Sequence, residues 1–161
     1  MEFAKRKSTR ISGYDYSECN FYFITICTYE KKCIFGQPNQ LNSLGTIAKE
    51  HVKRIHENYP SVKVNQFVVM PNHVHMIMEL ENVEDNPDIT MLVGLYKTGV
   101  TKQIRKTYPG MKIWQRSFHD HIIRNQAGYE KIWNYIEGNP QKWEDDCFFC
   151  NQNVGEGFYP S

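Results

Sequence analysis

Two histidines one residue apart, His73 and His75, stand in residues 68–80, V-V-M-P-N-H-V-H-M-I-M-E-L. After the Pro71-Asn72 turn signal the chain alternates, as a strand does when successive side chains point to opposite faces. His73, His75 and Ile77 then share one face, and Val74, Met76 and Met78 the other. The apolar set can pack into a core while two imidazoles are presented side by side. Two neutral ring nitrogens on a stiff element are what a divalent metal asks for, with further ligands from elsewhere. Taken alone, such a pair is more often a half-exposed strand feature than a metal site.

The partner stretch lies downstream, in W-N-Y-I-E-G-N-P, residues 133–140. Tyr135 and Asn139 are four apart and stack on one helical face. Ile132 and Ile136 flank that face and would seat the helix on a sheet, and Pro140 should end it. If the helix crosses the His73/His75 face, a phenol and an amide oxygen arrive beside two imidazoles. A phenol with a pKa of about 10 is a poor nucleophile at neutral pH. A divalent cation held by His73, His75 and Asn139 would assist its attack on a phosphodiester by polarising the phosphate. Such an attack leaves a covalent phosphotyrosine, which conserves the bond energy for rejoining. The plainer alternative is that Tyr135, one of ten tyrosines, packs its ring at a helix–sheet boundary.

The elements needed to position these groups can be read along the chain. Residues 21–28, F-Y-F-I-T-I-C-T, form a strand by their aromatic and β-branched content. Gly36-Gln-Pro-Asn39 breaks the chain. Asn42 or Ser43 caps a helix running to about Asn58, ended by Tyr59-Pro60. Residues 62–70 and 73–80 are two strands of a hairpin through Pro71-Asn72. An acidic loop over 81–88 leads to a helix capped by Asp88 or Thr90 and running to about Thr107. Gly94 and Gly99 weaken that helix by about 1 kcal/mol each relative to alanine. Residues 112–123 are predicted as a strand, bent, and 126–138 as a third helix. The order strand, helix, strand, strand, helix, strand, helix predicts an α+β fold of ferredoxin-like type. It has an antiparallel sheet, two helices on one face, and an additional C-terminal helix carrying Tyr135.

Composition bounds the class. The 161 residues, 40% hydrophobic and 23% charged, suit one domain over 1–161, with a basic arm at 1–17 and a flexible tail at 151–161. No apolar run approaches a membrane span and no signal-type segment follows the basic start, so a cytoplasmic protein without a membrane partner is expected. Five cysteines, irregularly spaced, are no disulfide framework, and the single C-x-x-C at Cys147 and Cys150 lacks a second ligand pair for zinc. The net charge of +1 hides an asymmetry. Lys97, Lys102, Arg105, Lys106, Lys112, Arg116 and Arg124 crowd residues 96–124 against Asp120, while acids gather in 79–88 and 144–146. A basic surface opposed by acidic loops suits nucleic acid.

These pieces together resemble the single-tyrosine HUH transposases, and within them the REP-associated tyrosine transposases. The likeness is carried by Gly13-Tyr-Asp-Tyr16, Tyr22-Phe-Ile-Thr-Ile-Cys27, Met70-Pro-Asn-His-Val-His75, residues 114–124 (W-Q-R-S-F-H-D-H-I-I-R) and Tyr135-Ile-Glu-Gly-Asn139-Pro140 with Lys142-Trp143. They stand in the family's order across roughly residues 10–145. The resemblance implies an enzyme that cuts and rejoins single-stranded DNA beside a hairpin. Tyr135 would be the nucleophile, giving a 5′-phosphotyrosine, with His73, His75 and Asn139 binding Mg²⁺ or Mn²⁺. Insertion-sequence relatives often carry Gln where this chain has Asn139; the REP-associated branch commonly has Asn-Pro, as here. Lys97, Arg124 and Arg116 are candidate phosphate contacts, Trp114 a candidate base-stacking residue, and Arg10 a candidate contact at the foot of a hairpin. Their plainer alternatives are a snorkelling lysine, an Asp120–Arg124 pair, a core tryptophan and a solvated arm. Two rival functions stay open: a hairpin-binding DNA or RNA module that no longer cuts, and a metal hydrolase using water. Both a monomer and a homodimer fit the sequence.

Overall fold

The computed structural model describes residues 10–146 and 148. Residues 1–9 of the arm, Cys147, Cys150 and the 151–161 tail lie outside the described residues. Four strands, β1 (Phe21–Cys27), β4 (Val62–Met70), β5 (His73–Leu80) and β6 (His119–Ile123), form one sheet in the order β4-β5-β1-β6. Every neighbouring pair is antiparallel. A small hairpin, β2 (Gly36–Gln37) and β3 (Gln40–Leu41), precedes helix α1 (Ser43–Asn58). Helices α2 (Ile89–Ile104) and α3 (Gln126–Gly138) complete the fold. This is the expected α+β arrangement, with a central β5–β1 pair and hairpin β4–β5.

Period-two alternation on β1 and β5 divides the sheet into two faces. Tyr22, Ile24, Ile26, Val74, Met76, Met78 and Leu80 point into the main core with α1 and α2 (Ala48, Val52, Leu92, Val93, Val100). The opposite face carries a smaller cluster of Ile77, Ile123 and Ile136, edged by Phe21, Phe23, Val68, Tyr129, Ile132 and Trp133. The histidines therefore face α3 and not the main core. Met76 is fully buried beneath them. Truncating it to alanine leaves a cavity and should cost about 2–5 kcal/mol in a denaturant titration.

Each helix starts on a side-chain cap. Asn42 accepts from the Gly45 N–H, Asp88 from Thr90 and Asn125 from Gly128. Gly99, which weakens α2 in isolation, is required by packing: a Cβ there would lie 2.8 Å from Nδ1 of His51 on α1. The small β2–β3 hairpin falls where the sequence predicts only a break. Gly36 turns there at φ +101°, where a Cβ would meet Asn42 N at 2.6 Å.

The predicted strand 112–123 is a strand only over His119–Ile123, and α2 ends at Ile104, short of Thr107. Residues 112–118 touch the sheet through a single bridge, Trp114 to Thr28. That bridge is made by Gln115 N donating to Cys27 O (3.0 Å) and Tyr29 N to Ile113 O (2.8 Å); beyond it they are tied to α2, Trp114 Nε1 donating to Lys97 O at 3.2 Å and Lys97 Nζ to Gln115 O at 2.6 Å. These cross-links substitute for the ladder.

Candidate active site

The two imidazoles are held in place by their Nδ1 atoms. His73 Nδ1 lies 2.8 Å from Asn72 Oδ1, and His75 Nδ1 lies 2.8 Å from Thr25 Oγ1 on the neighbouring strand. The Asn72 amide has a fixed orientation, because its Nδ2 donates to Lys31 O (3.1 Å) and to Phe148 O (2.8 Å). Its oxygen must therefore accept from His73 Nδ1–H. The neutral ring then keeps a lone pair on Nε2, the tautomer a metal ligand needs. The two rings meet edge to face with centroids 4.5 Å apart, and Phe23 lies against His75 at 5.2 Å.

Both imidazoles are almost fully buried, and burial pushes both pKa values down, His73 to about 4. His73 also lowers His75, a like charge beside a like charge. An unfolded histidine titrates near 6.5, so between that value and the folded pKa the unfolded chain binds the extra proton. The contribution of these groups to stability is complete above about pH 6.5 and is lost as the pH falls toward 4. Thermal midpoints should drop through that window. The drop should shrink in His73→Ala, measured by circular dichroism across a pH series.

Helix α3 brings the third and fourth groups. Ile136 locks it onto Ile77 and Ile123, which turns Tyr135 toward β5. The Tyr135 hydroxyl stands 3.5 Å from His75 Nε2, the outer limit of a hydrogen bond, with ring centroids 5.3 Å apart. Tyr135 is 43% exposed, so a substrate can reach it. Asn139 ends α3 and is buried. Its Nδ2 donates to Asp146 Oδ2 at 2.9 Å, while its Oδ1 has no hydrogen-bond partner. His73 Nε2 is likewise buried and without one.

These residues fit a divalent cation. Unpaired buried lone pairs cost free energy unless something completes them. Here a ring nitrogen and an amide oxygen stand unsatisfied at the convergence of β5 and α3. Ligand atoms of His73, His75 and Asp146 all lie within 4.8 Å of one another. Asp146 escaped sequence reasoning. It follows the short 3₁₀ turn Trp143–Asp145 with no periodic pattern to announce it.

The other candidates are spread over the surface. Lys97, Trp114 and Arg116 border a cleft of about 740 Å³ whose further cations are Lys102, Arg105 and Lys112. Trp114 is also packed on Phe35 and Tyr96. Burial and the nearby Arg10 lower the Lys97 pKa. Arg10 itself pairs with Asp120 at 2.6 Å, donates to Phe118 O and stacks 3.5 Å over the Phe118 ring. Asp120 thus pairs with Arg10, not with Arg124. Arg124 is exposed and lines a separate cavity with Asn125, Gln126 and Tyr129. Among the described residues, no helix is long and apolar enough to cross a membrane.

Comparison with known proteins identifies the family of the chain. The sequence model of the family described as "Transposase IS200 like" matches residues 15–139. An uncharacterized protein of Haemophilus influenzae is 37% identical, over 91% of this chain and 94% of its own length. A REP-associated tyrosine transposase of Escherichia coli K12 is 30% identical over 61% of this chain and 60% of its own. Among solved structures, a REP-associated tyrosine transposase bound to a REP hairpin superposes with a TM-score of 0.59 at 23% identity. That match covers 89% of this chain and 74% of the other and shows a shared fold. With the matched family spanning the first strand through Asn139, this chain belongs to the IS200-like transposases.

Proposed function

We propose that the protein is a metal-dependent transposase that cleaves and rejoins single-stranded DNA next to a hairpin through a 5′-phosphotyrosine. The observation that carries this reading is the meeting of an accessible phenol with two neutral imidazoles and an unsatisfied amide oxygen. His73, His75 and Asn139 would hold Mg²⁺ or Mn²⁺. Bound there, the cation would polarise the phosphate and offset charge developing in the displacement. Tyr135 Oη forms the bond to phosphorus and its proton leaves to water. The P–O3′ bond breaks, freeing a 3′-hydroxyl. Attack by another 3′-hydroxyl on the phosphotyrosine reverses the step and joins a new strand.

The basic cleft supports a DNA path to this site. Thr28 is bridged to Trp114 at the cleft and donates its N–H to Asn72 O at 2.9 Å, beside His73. Cleft and imidazoles therefore lie at the same end of the sheet. Phosphate contacts there make binding salt-sensitive. The test is incubation of the full chain with an end-labelled hairpin bearing a single-stranded flank, with and without Mn²⁺. A denaturation-resistant protein–DNA adduct that needs the metal is expected. Hairpin binding with no adduct would instead identify a binding module, and cleavage without an adduct a hydrolase.

A further inference from the structure

We infer that Asp146 is the charged ligand of the cation site, joining His73, His75 and Asn139 from the segment that follows α3. This rests on the metal-dependent reading above and adds to it the one negative charge in the ligand set. The Asp146 side chain is fully buried and lies 3.8 Å from His73 Nε2. It accepts two hydrogen bonds, from Asn139 Nδ2 at 2.9 Å and from Phe148 N–H at 2.8 Å. Its ionic neighbour among the described residues is His73, whose Nδ1 is engaged by Asn72 Oδ1 at 2.8 Å and whose Nε2 is turned to the carboxylate. A buried carboxylate is costly unless its oxygens are met. Here its Oδ2 faces His73 Nε2, a buried atom with no hydrogen-bond partner, across 3.8 Å. A divalent cation between them resolves both costs at once.

The chemistry of the set follows. Two imidazoles and an amide oxygen are neutral, and a neutral set holds a hard divalent ion weakly. One carboxylate strengthens attraction for the ion while leaving it net positive toward a phosphate. Asp146 is also covalently downstream of Asn139, so loading the site ties residues 140–146 to the sheet as well as the end of α3.

Calorimetric titration of Mn²⁺ into the full chain, without DNA, tests this in three proteins: parent, Asp146→Asn and His73→Ala. Asp146→Asn keeps the size and an acceptor for Asn139 but removes the charge. A dissociation constant raised by about tenfold or more is expected, with the stabilisation produced by saturating Mn²⁺ shrinking in proportion. That stabilisation is read against each protein's own metal-free midpoint, so a general loss of stability does not imitate it. Asp146→Ser serves the same purpose if the amide variant does not fold. Affinity unchanged by the Asp146 substitution but lost in His73→Ala would overturn the assignment of Asp146 and leave the metal site standing. Affinity unchanged in both variants would overturn the cation site itself, and this inference with it.

Discussion

Tyr135→Phe should reduce formation of the covalent DNA adduct by about 10³-fold or more, the scale on which enzymes lose rate when their nucleophile is deleted. Hairpin binding and Mn²⁺ affinity should stay close to the parent's. The substitution removes one oxygen, which stands 3.5 Å from His75 Nε2, and it leaves the ring on His75 and edge-on to Phe23 at 6.3 Å. The helix is seated by Ile136, not by the phenol. A thermal scan of the variant separates loss of the nucleophile from any fold defect. Strand cleavage that survives the substitution would mean that water attacks, and the two-histidine hydrolase would replace the tyrosine mechanism.

His73→Ala should lower Mn²⁺ affinity by about 100-fold or more, since even the loss of an outer-shell partner commonly costs 10–100-fold. Adduct formation should fall with it at limiting metal. The same variant removes the His73 Nδ1 bond to Asn72 Oδ1 and opens space under the Phe148 ring, which lies tilted on His73 at 4.6 Å. Some stability at neutral pH is therefore lost, while sensitivity to acid decreases because one depressed histidine no longer titrates. These opposite signs separate a buried, neutral ligand from an ordinary packing residue. Calorimetry with Mn²⁺ and a pH series of unfolding curves read them independently.

The part of this site built on local periodicity was visible in the chain itself. Alternation over 73–78 assigns the two histidines to the face away from Met76, and the four-residue spacing of Tyr135 and Asn139 puts them on one helical side. Both placements hold in the structure, as do the caps of α1 and α2. What escaped depends on contacts that spacing does not encode. Arg10 finds Asp120 across 110 positions of sequence, so the expected Asp120–Arg124 alternation carries no pair. Residues 112–118 have strand-like content, yet they pair with the sheet at one bridge and are otherwise bonded to α2 through Lys97. Asp146 follows the short 3₁₀ turn Trp143–Asp145, where neither a period of 2 nor one of 3.6 operates, and the connection from the end of α3 brings it to His73. Gly99 looked like a defect in α2 until His51 filled the space its missing side chain leaves.

The tyrosine mechanism requires that Tyr135 Oη be the atom joined to DNA. After reaction with the hairpin substrate and Mn²⁺, trypsin should release residues 132–142, I-W-N-Y-I-E-G-N-P-Q-K, which contain one tyrosine. Tandem mass spectrometry is expected to locate the nucleotide phosphate on Tyr135 of that peptide. A phosphate on any other residue, or metal-dependent cleavage with this peptide unmodified throughout the time course, would contradict it.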